Sequence, residues 1–167
     1  MKKTLEKLYK VRFQDCDPFN HLNNSRYIDY FMNAREDQIL ESYKLDIYEH
    51  LRTTGQAWVV ASNQISYLKP AMMNETVLIE SKLINYTVKS LSVEMQMWDK
   101  NRTQLKAIFW SKFVYFSAKT QQSVQHSEEL MELFEQVVNP LEQISFEERC
   151  QYILRNLKEQ SLQQIKN

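Results

Sequence analysis

The segment 26–43 constrains the fold more than any other part of the chain, because its apolar residues surround most of a helix. Tyr27, Tyr30, Phe31 and Ala34 recur at the three- and four-residue spacing of one helix face, and Ile28, Met32, Ile39 and Leu40 add apolar surface on other sides. A helix that is apolar over so much of its circumference is usually buried inside a domain. The rest of the chain is therefore expected to supply the surface that packs around it.

Segments with strand character stand on both sides of this helix. Residues 8–14 alternate between apolar and polar side chains, which predicts a half-buried strand before the helix. After a short second helix at 47–53, further strands are predicted at 58–68, 76–86, 90–98 and 105–116. This order predicts an α+β domain, in which a curved antiparallel sheet of five to six strands packs around a long central helix.

The last part of the chain has a different pattern. One amphipathic stripe is formed by Leu130, Leu133, Phe134, Val137 and Val138, and a second, on a Gln-rich helix, by Cys150, Ile153, Leu154, Leu157, Leu162 and Ile165. Such spacing is typical of helices that dock on the domain or on a partner subunit. We therefore divide the chain into a domain at 1–120 and a C-terminal helical extension at 121–167.

Charge and cysteine usage limit the classes of function. Lys plus Arg and Asp plus Glu each number 21, so the net charge is zero and a broad nucleic-acid surface is not expected. Two cysteines in a chain of this length do not form a disulfide framework, which favours a reducing compartment. We find no signal peptide and no apolar run long enough to span a bilayer, and we expect a cytoplasmic protein.

Glycine usage excludes one kind of phosphate site. The chain contains a single glycine, Gly55. Glycine-rich phosphate loops and dinucleotide fingerprints need two or three glycines at fixed spacing, because the backbone must approach the phosphate closely. A phosphate contact must therefore come from side chains or from a helix N-terminus.

The most informative motif lies between the first strand and the central helix. From Val11 to Tyr27 the chain reads Val-Arg-Phe-Gln-Asp-Cys-Asp-Pro-Phe-Asn-His-Leu-Asn-Asn-Ser-Arg-Tyr. This run resembles the signature of the 4-hydroxybenzoyl-CoA thioesterase family within the hotdog superfamily, in which a strand ends in Asp-[Thr/Cys]-Asp ahead of the central helix. The likeness covers roughly the first 120 residues, and Asn20 stands where a glycine is common. It implies a hotdog fold and an acyl-CoA thioesterase that needs no cofactor.

The resemblance also assigns catalytic roles. Attack on a thioester places negative charge on the carbonyl oxygen, which N–H groups at a helix N-terminus can stabilise. The family pattern places these donors near Asn23 and Asn24, and it places the carboxylate at Asp17, as either nucleophile or general base. We expect His21 to contact substrate or water at the N-terminal end of the central helix. The simpler interpretation is that these residues only form turns and helix caps, which their types favour.

Three residues are candidates for substrate binding. Tyr27 is expected to line the acyl pocket or to pack in the core. Lys89 and Ser90 open the strand at 90–98, where family members often carry a basic residue and a serine that contact CoA phosphates. A solvated lysine at the start of a strand is the alternative. Aromatic and methionine side chains offer either an acyl pocket or ordinary core filling, namely Phe19, Tyr30, Phe31, Met72, Met73, Met95 and Met97.

Two other functions fit the same fold. A hotdog hydratase adds water across an enoyl thioester with an Asp/His pair, but it uses a different spacing and a glycine-containing segment. A non-catalytic acyl-CoA-binding module has no use for Asp17 beside an electrophilic carbonyl, and a desolvated carboxylate there would be costly. Release of CoA from acyl-CoA separates the thioesterase from both alternatives. The sequence leaves the acyl group, and CoA or acyl-carrier protein as the carrier, open.

The resemblance further implies an assembly. Hotdog domains generally pair so that two sheets join and the active sites lie at the subunit interface, so we expect a homodimer or a homotetramer. No metal site is predicted, because His21, His50 and His126 are scattered without ligand spacing.

Overall fold

The computed structural model describes residues 1–165 as helices around one sheet. In chain order the elements are β1 (Thr4–Lys10), α1 (Tyr27–Tyr43), α2 (Ile47–Thr54), β2 (Gln56–Tyr67), β3 (Thr76–Tyr86), β4 (Ser90–Asp99), β5 (Leu105–Ser117), β6 (Gln122–Ser123), α3 (Glu128–Val137) and α4 (Phe146–Ile165). Residues 166 and 167 of the predicted extension lie outside the described residues.

The strands form one antiparallel sheet in the order β1-β3-β4-β5-β2, with the short β6 on β5. The strand register defines two ends of this sheet. We call the end at Lys10, Thr76 and Leu105 the upper end, and the end at Tyr86 and Ser117 the lower end. The curved sheet with its central helix confirms the predicted α+β hotdog architecture.

Helix α1 packs along one face of the sheet, which we call the inner face. Phe31 and Ala34 are fully buried there, and the Phe31 ring stacks on Phe109 of β5 with 5.1 Å between ring centroids. The helix ends at Lys44, which adopts a left-handed conformation with φ 58°. The broad apolar surface of segment 26–43 is thus explained, because the sheet and the flanking segments enclose the helix.

The first strand differs from its prediction. The alternation at 8–14 predicted a strand there, but β1 is Thr4–Lys10 and residues Phe13–Asp15 form a short 3₁₀ helix. The register gives the reason, because Lys10 pairs with Thr76, the first residue of β3, and no ladder continues beyond it. Phe13 consequently points to solvent with 78% of its surface exposed.

The two C-terminal helices cover opposite faces of the sheet. Leu130, Phe134 and Val137 of α3 belong to the main core beside α1. Helix α4 lies on the outer face, where Ile153 packs against Leu105 and Ile108 of β5 in a second hydrophobic cluster. The predicted division at residue 120 stays a prediction, and α3 shares the core of the predicted domain. Within residues 1–165, no helix has the length and apolar character needed to cross a membrane.

Candidate active site

The loop that joins β1 to α1 folds back on itself at the upper end of the sheet. Cys16 and Leu22 form a β-bridge, and the Asp17 N–H donates to the His21 carbonyl at 2.8 Å. Asn20 makes the tight turn with φ 63°, a conformation that asparagine tolerates better than most residues. This turn holds Asp17 opposite His21.

The Asp17 carboxylate divides its two oxygens between different surroundings. Oδ1 accepts hydrogen bonds from the backbone N–H groups of Phe19 at 2.9 Å and His21 at 3.1 Å. Oδ2 has no hydrogen-bond partner within the described part of the chain. Asp17 is therefore a turn cap, as the simpler interpretation predicted, and it also presents one uncommitted oxygen beside the helix start.

The helix start offers one backbone donor. A 3₁₀ turn, Asn24–Arg26, precedes α1, and the Asn23 side chain caps it by accepting from the Ser25 N–H at 3.0 Å. The Asn23 N–H donates to the Asp15 carbonyl at 2.9 Å, so it is occupied. The Asn24 N–H has no acceptor among residues 1–165. Of the two predicted amide donors, the one at Asn24 remains available to a ligand.

Asp15 supports this loop through a tyrosine. Its Oδ2 accepts the Tyr30 hydroxyl proton at 2.8 Å, and the same hydroxyl accepts from the Arg12 N–H at 3.0 Å. Burial and the Asp15 carboxylate raise the pKa of Tyr30 to about 12, so the hydroxyl keeps its proton at neutral pH. The first carboxylate of the motif is thereby tied to α1, whereas the second is not.

The segment after β2 closes the other side of the site. His21 forms a β-bridge with Met72, and the Leu22 N–H donates to the Ala71 carbonyl at 2.8 Å. The Ala71 N–H donates in turn to the Tyr27 hydroxyl at 3.0 Å. Tyr27 is 2% exposed, so it occupies the core position of its two predicted positions and braces this segment.

Tyr67 is a site neighbour that no sequence pattern indicated. Its hydroxyl donates to the Asn24 carbonyl at 2.9 Å, and its ring meets the Tyr27 ring edge-on at 5.1 Å. Only the strand register places this residue, the last of β2, beside the start of α1.

Lys89 and Ser90 lie far from Asp17 within one chain. Lys89 lies in the turn between β3 and β4, and Ser90 is the first residue of β4. The Thr87 N–H closes this turn by donating to the Ser90 carbonyl at 2.8 Å. This turn is at the lower end of the sheet, whereas Asp17 follows the upper end of β1. The two ends are separated by the length of β3, from Thr76 to Tyr86, which corresponds to roughly 30 Å.

An apolar cavity of about 370 Å³ lies between the second half of α1 and the sheet. Helices α2 and α3 close its sides, with Leu51 and Phe134 among the lining residues. Met32 and Arg35 of α1 mark its wall, and burial lowers the pKa of Arg35 to about 10. None of the methionine or aromatic residues singled out from the sequence as acyl-pocket candidates lines it.

Cys16, between the two aspartates, is an unsuitable nucleophile. Burial and the charges of Asp15 and Asp17 raise the pKa of its thiol, and its side chain packs against the main core. Within residues 1–165, no group of three or more His, Cys, Asp or Glu side chains is arranged to hold a metal ion.

Comparisons with known proteins point in the same direction as this geometry. Residues 11–134 match the family model described as the thioesterase-like superfamily. The long-chain acyl-CoA thioesterase FadM of Escherichia coli is 30% identical over 129 residues, which cover 77% of this chain and 96% of that protein. The match accounts for nearly the whole of FadM.

Solved structures give the same picture. The crystal structure of YbaW, a probable thioesterase from Escherichia coli, has 30% identity and a TM-score of 0.68 over 81% of this chain and 99% of its own. Slr0204, a 1,4-dihydroxy-2-naphthoyl-CoA thioesterase from Synechocystis, has 14% identity and a TM-score of 0.73 over 82% and 99% of the two chains. The second likeness concerns the fold alone.

Proposed function

The chain belongs to the thioesterase-like superfamily and is a thioester hydrolase, and we propose that it hydrolyses an acyl-CoA to the free acid and CoA. One observation carries the assignment of the site. Among the described residues, one oxygen of the Asp17 carboxylate has no hydrogen-bond partner, and its loop leads directly to the Asn24 N–H at the helix start, which has no acceptor there either. A nucleophile or base and an oxyanion donor are thereby combined in one short segment.

The Asn24 N–H and the Asp17 carboxylate have complementary roles in the reaction. The thioester carbonyl accepts from the Asn24 N–H, which stabilises the negative oxygen as it forms. Asp17 either attacks the carbonyl carbon or removes a proton from the attacking water. The loop amides that hold Oδ1 keep the carboxylate oriented. His21 and Asn23 shape the loop, with His21 facing substrate or water.

The cavity beside α1 is the proposed site for the acyl group. It begins near Met32, eight residues after Asn24, a distance of about 12 Å along a helix. Its lining is mostly apolar, which suits a hydrocarbon chain. The relative FadM is a long-chain acyl-CoA thioesterase, and we propose a long acyl chain for this protein as well.

We further propose that the active enzyme is at least a homodimer, paired through β2. This strand is an edge of the sheet, and Val59 and Val60 on it are 42% and 50% exposed. An uncovered edge strand is a template for pairing with another chain. Antiparallel pairing about a twofold axis would bring the lower end of one sheet toward the upper end of the other. Lys89 and Ser90 can reach CoA phosphates only in such an arrangement.

A cytoplasmic location is part of the proposal. Cys16 and Cys150, the two cysteines of the chain, are both free thiols. Unpaired cysteines of this kind suit a reducing compartment.

Replacement of Asp17 by asparagine tests the mechanism. The amide oxygen of the introduced side chain can still accept from the Phe19 and His21 amides, so Asp17→Asn keeps the turn cap and removes only the charge. Turnover of saturating palmitoyl-CoA should fall by about 10²-fold or more, because the group acts in the transition state. Release of the CoA thiol measures the rate.

Asp29→Asn is the matched control. Asp29 is exposed on the first turn of α1, where it pairs only with Arg26 in the described part of the chain, and the variant should retain the wild-type rate. Circular dichroism of both variants checks that the fold is intact. Turnover of Asp17→Asn within about threefold of wild type would contradict the catalytic assignment.

A further inference from the structure

Helix α4 lies outside the segment that matches the family model, but it is firmly attached to the sheet. Arg149 of α4 forms two hydrogen bonds with the buried Glu94 of β4, at 2.8 and 2.9 Å. The Phe146 ring meets the Trp110 ring edge-on at 5.6 Å. Residues 146–157 therefore form a wall attached to the outer face, although the match ends at residue 134.

Helix α4 runs toward the upper end of the sheet, where the candidate active site lies. Its start contacts Trp110 in the middle of β5, and further along Leu157 packs in the cluster with Leu105 and Leu68. Leu105 is the first residue of β5, and Leu68 directly follows β2. The second half of α4 thus borders the segment that closes the site.

A groove of about 830 Å³ lies between α4 and this segment. Its floor is apolar, with Leu68, Leu105, Leu154 and Leu157. Its charged lining is entirely cationic and consists of Lys69, Arg155 and Lys158. Within the described part of the chain, no carboxylate lines the groove, and none of these three cations has an ion-pair partner within 4 Å.

Two other charged side chains near the groove already have partners within the chain. Lys106, also on β5, is buried against Glu75 at 2.9 Å and is therefore neutralised. Asp99 is not among the lining residues, and its carboxylate accepts from the Thr103 hydroxyl and the Gln104 N–H. The cations that line the groove are therefore left for an external anion.

The groove is connected to the site by a short piece of backbone. Lys69 is three residues before Met72, which bridges to His21, and three extended residues span at most about 11 Å. The Lys69 N–H is fixed by the Lys106 carbonyl at 3.1 Å. A ligand that leaves the thioester site beside Ala71 and Met72 can therefore reach Lys69 over this segment.

We propose that this groove binds the 3′-phosphoadenosine end of CoA, an inference that rests on the proposed acyl-CoA hydrolysis. The 3′-phosphate meets Lys69, Arg155 and Lys158, and the adenine lies on the leucine floor. Side-chain cations are the type of phosphate contact available to a chain whose one glycine excludes glycine-rich loops. The C-terminal extension is thus part of the substrate site.

The shape of the groove favours CoA over an acyl-carrier protein. A concave groove with an apolar floor and a few convergent cations suits a small nucleotide ligand. The flat face of an acidic protein would need cations spread over a wider surface. Discrimination between free CoA and a carrier protein is therefore an outcome of the experiment.

The test compares three thioesters that share one acyl group: the acyl-CoA, the acyl-3′-dephospho-CoA and the acyl-pantetheine. In Arg155→Gln/Lys158→Gln, KM for acyl-CoA should rise at least about tenfold while kcat stays within about twofold. KM for acyl-pantetheine should not change, because that substrate lacks the nucleotide. Glutamine preserves helix propensity at both exposed positions.

A binding measurement makes the test independent of catalysis. Adenosine 3′,5′-bisphosphate titrated calorimetrically into the full-length protein should bind at least about tenfold more weakly to the double variant than to wild type. Lys3→Gln/Lys119→Gln removes the same charge from exposed positions away from the groove and should bind like wild type. If the wild-type protein had no thioesterase activity, the proposed function would be wrong. The calorimetric measurement of nucleotide binding to the groove would still be valid.

Three results would overturn the proposal. The first is unchanged nucleotide affinity and unchanged KM for acyl-CoA in the groove variant. The second is a raised KM in Lys89→Gln with none in the groove variant, which would move the phosphate site to the turn between β3 and β4. The third is a raised KM for an acyl-carrier-protein substrate alone, which would identify the groove as a protein-docking surface.

Discussion

Asp17 illustrates how one residue can be both a structural cap and a catalytic candidate. Its Oδ1 closes the turn by accepting from two amides, and this geometry alone would satisfy the interpretation as a cap. A carboxylate has lone pairs on two oxygens, so capping leaves Oδ2 for chemistry. Asp15 also engages one side-chain oxygen, but its Oδ2 accepts from Tyr30 of α1, whereas Asp17 is held by amides of its own loop. The structure therefore gives the two aspartates of the motif different hydrogen-bond partners.

The surroundings of Glu94 are not apparent from the sequence. It lies on the polar face of β4, is 1% exposed, and accepts from Arg149, the Gln96 side chain and the Trp110 indole. Burial alone would raise its pKa, but the Arg149 hydrogen bonds and the Lys82 charge outweigh this effect and hold the pKa below its ordinary value. The carboxylate is therefore ionised inside the protein and depends on its partners.

Removal of Arg149 should destabilise the protein strongly. Arg149→Met leaves the buried Glu94 carboxylate without its guanidinium, and breaking a buried pair in this way usually costs about 3–5 kcal/mol. Lys82 remains 3.2 Å from Glu94, so we expect a loss of about 3 kcal/mol in the free energy of unfolding, measured by urea denaturation.

The double variant Glu94→Gln/Arg149→Met provides the comparison for this prediction. It removes the stranded charge, so its stability should recover part of the loss and reveal coupling between the two residues. A loss below about 1 kcal/mol in Arg149→Met would show that Lys82 and water compensate fully.

At the scale of elements, a cluster of aromatic and histidine rings ties α2, β2, β5 and the segment before α3 together at the lower end of the sheet. The Tyr115 and His126 rings stack at 4.7 Å, and His50 stacks on Trp58 at 5.1 Å. The Trp58 indole N–H can only donate, so His126 Nε2, 3.1 Å away, must accept. The His126 proton is then on Nδ1, which donates to the Thr87 carbonyl at 3.1 Å.

This cluster predicts a pH dependence of stability. Burial lowers the pKa of both His50 and His126 below the ordinary value of 6.5, because the rings are favoured in their neutral forms. Near and below pH 6.5 the unfolded chain binds more protons at these histidines than the folded chain does. Their contribution to the free energy of unfolding is therefore complete above that pH and is lost as the pH falls toward the folded-state pKa values. The urea midpoint should therefore decrease between about pH 8 and about pH 5.5.

The variants that test this dependence are His50→Gln and His126→Gln. Each replaces a titrating ring by a neutral amide, so each should flatten the profile in the window between about pH 8 and about pH 5.5, where carboxylates of ordinary pKa stay ionised. The double variant should flatten it most. If stability depended on pH as steeply in the double variant as in wild type, other groups would cause the loss of stability at low pH.

Some elements could be predicted from sequence because their local pattern and their packing agree. Strand β3 has its predicted bounds, Thr76–Tyr86, since its polar turns coincide with the ends of its ladder. Strand β1 was placed too late, because alternation continues through Phe13 after its pairing partner has ended. The alternation of β4 indicated two faces correctly, but only the long-range contact with α4 explains why Glu94 is buried.

The same distinction applies to the site. The motif from Val11 to Tyr27 located the candidate loop, because turn formers and caps are local signals. The available donor at Asn24 and the neighbour Tyr67 depend on hydrogen bonds between distant segments. The cavity beside α1 and the cationic groove also required tertiary structure. A sequence pattern does not give the distances between remote segments on which these features depend.

For the whole molecule, the arrangement leaves the site open on one side. The start of α1 and the end of β2 meet through the bond between Tyr67 and Asn24, and beyond β2 the sheet has no further strand in the described chain. A second copy paired along β2 would close this side of both sites. Assembly and activity should therefore be lost together.

Two lysines on the β2 edge provide the test of this coupling. Val59 and Gln64 are exposed on β2, and Val59→Lys/Gln64→Lys places like charges along the proposed seam, where unpaired charge opposes strand pairing. The mass measured by light scattering at micromolar concentration should fall from that of a dimer or tetramer to that of a monomer. Turnover of acyl-CoA should fall by at least about tenfold, because each site loses its second wall.

The control for this variant adds the same charge elsewhere. Gln136→Lys/Gln160→Lys lies on exposed surfaces of α3 and α4 and should leave both mass and turnover unchanged. A β2 variant that stays oligomeric would place the interface on another surface, since like charges on a pairing strand should separate the subunits. A monomer with full activity would instead contradict the shared site, because one subunit would then contain every group that the reaction needs. The two measurements together distinguish an interface that builds the active site from one that only stabilises the fold.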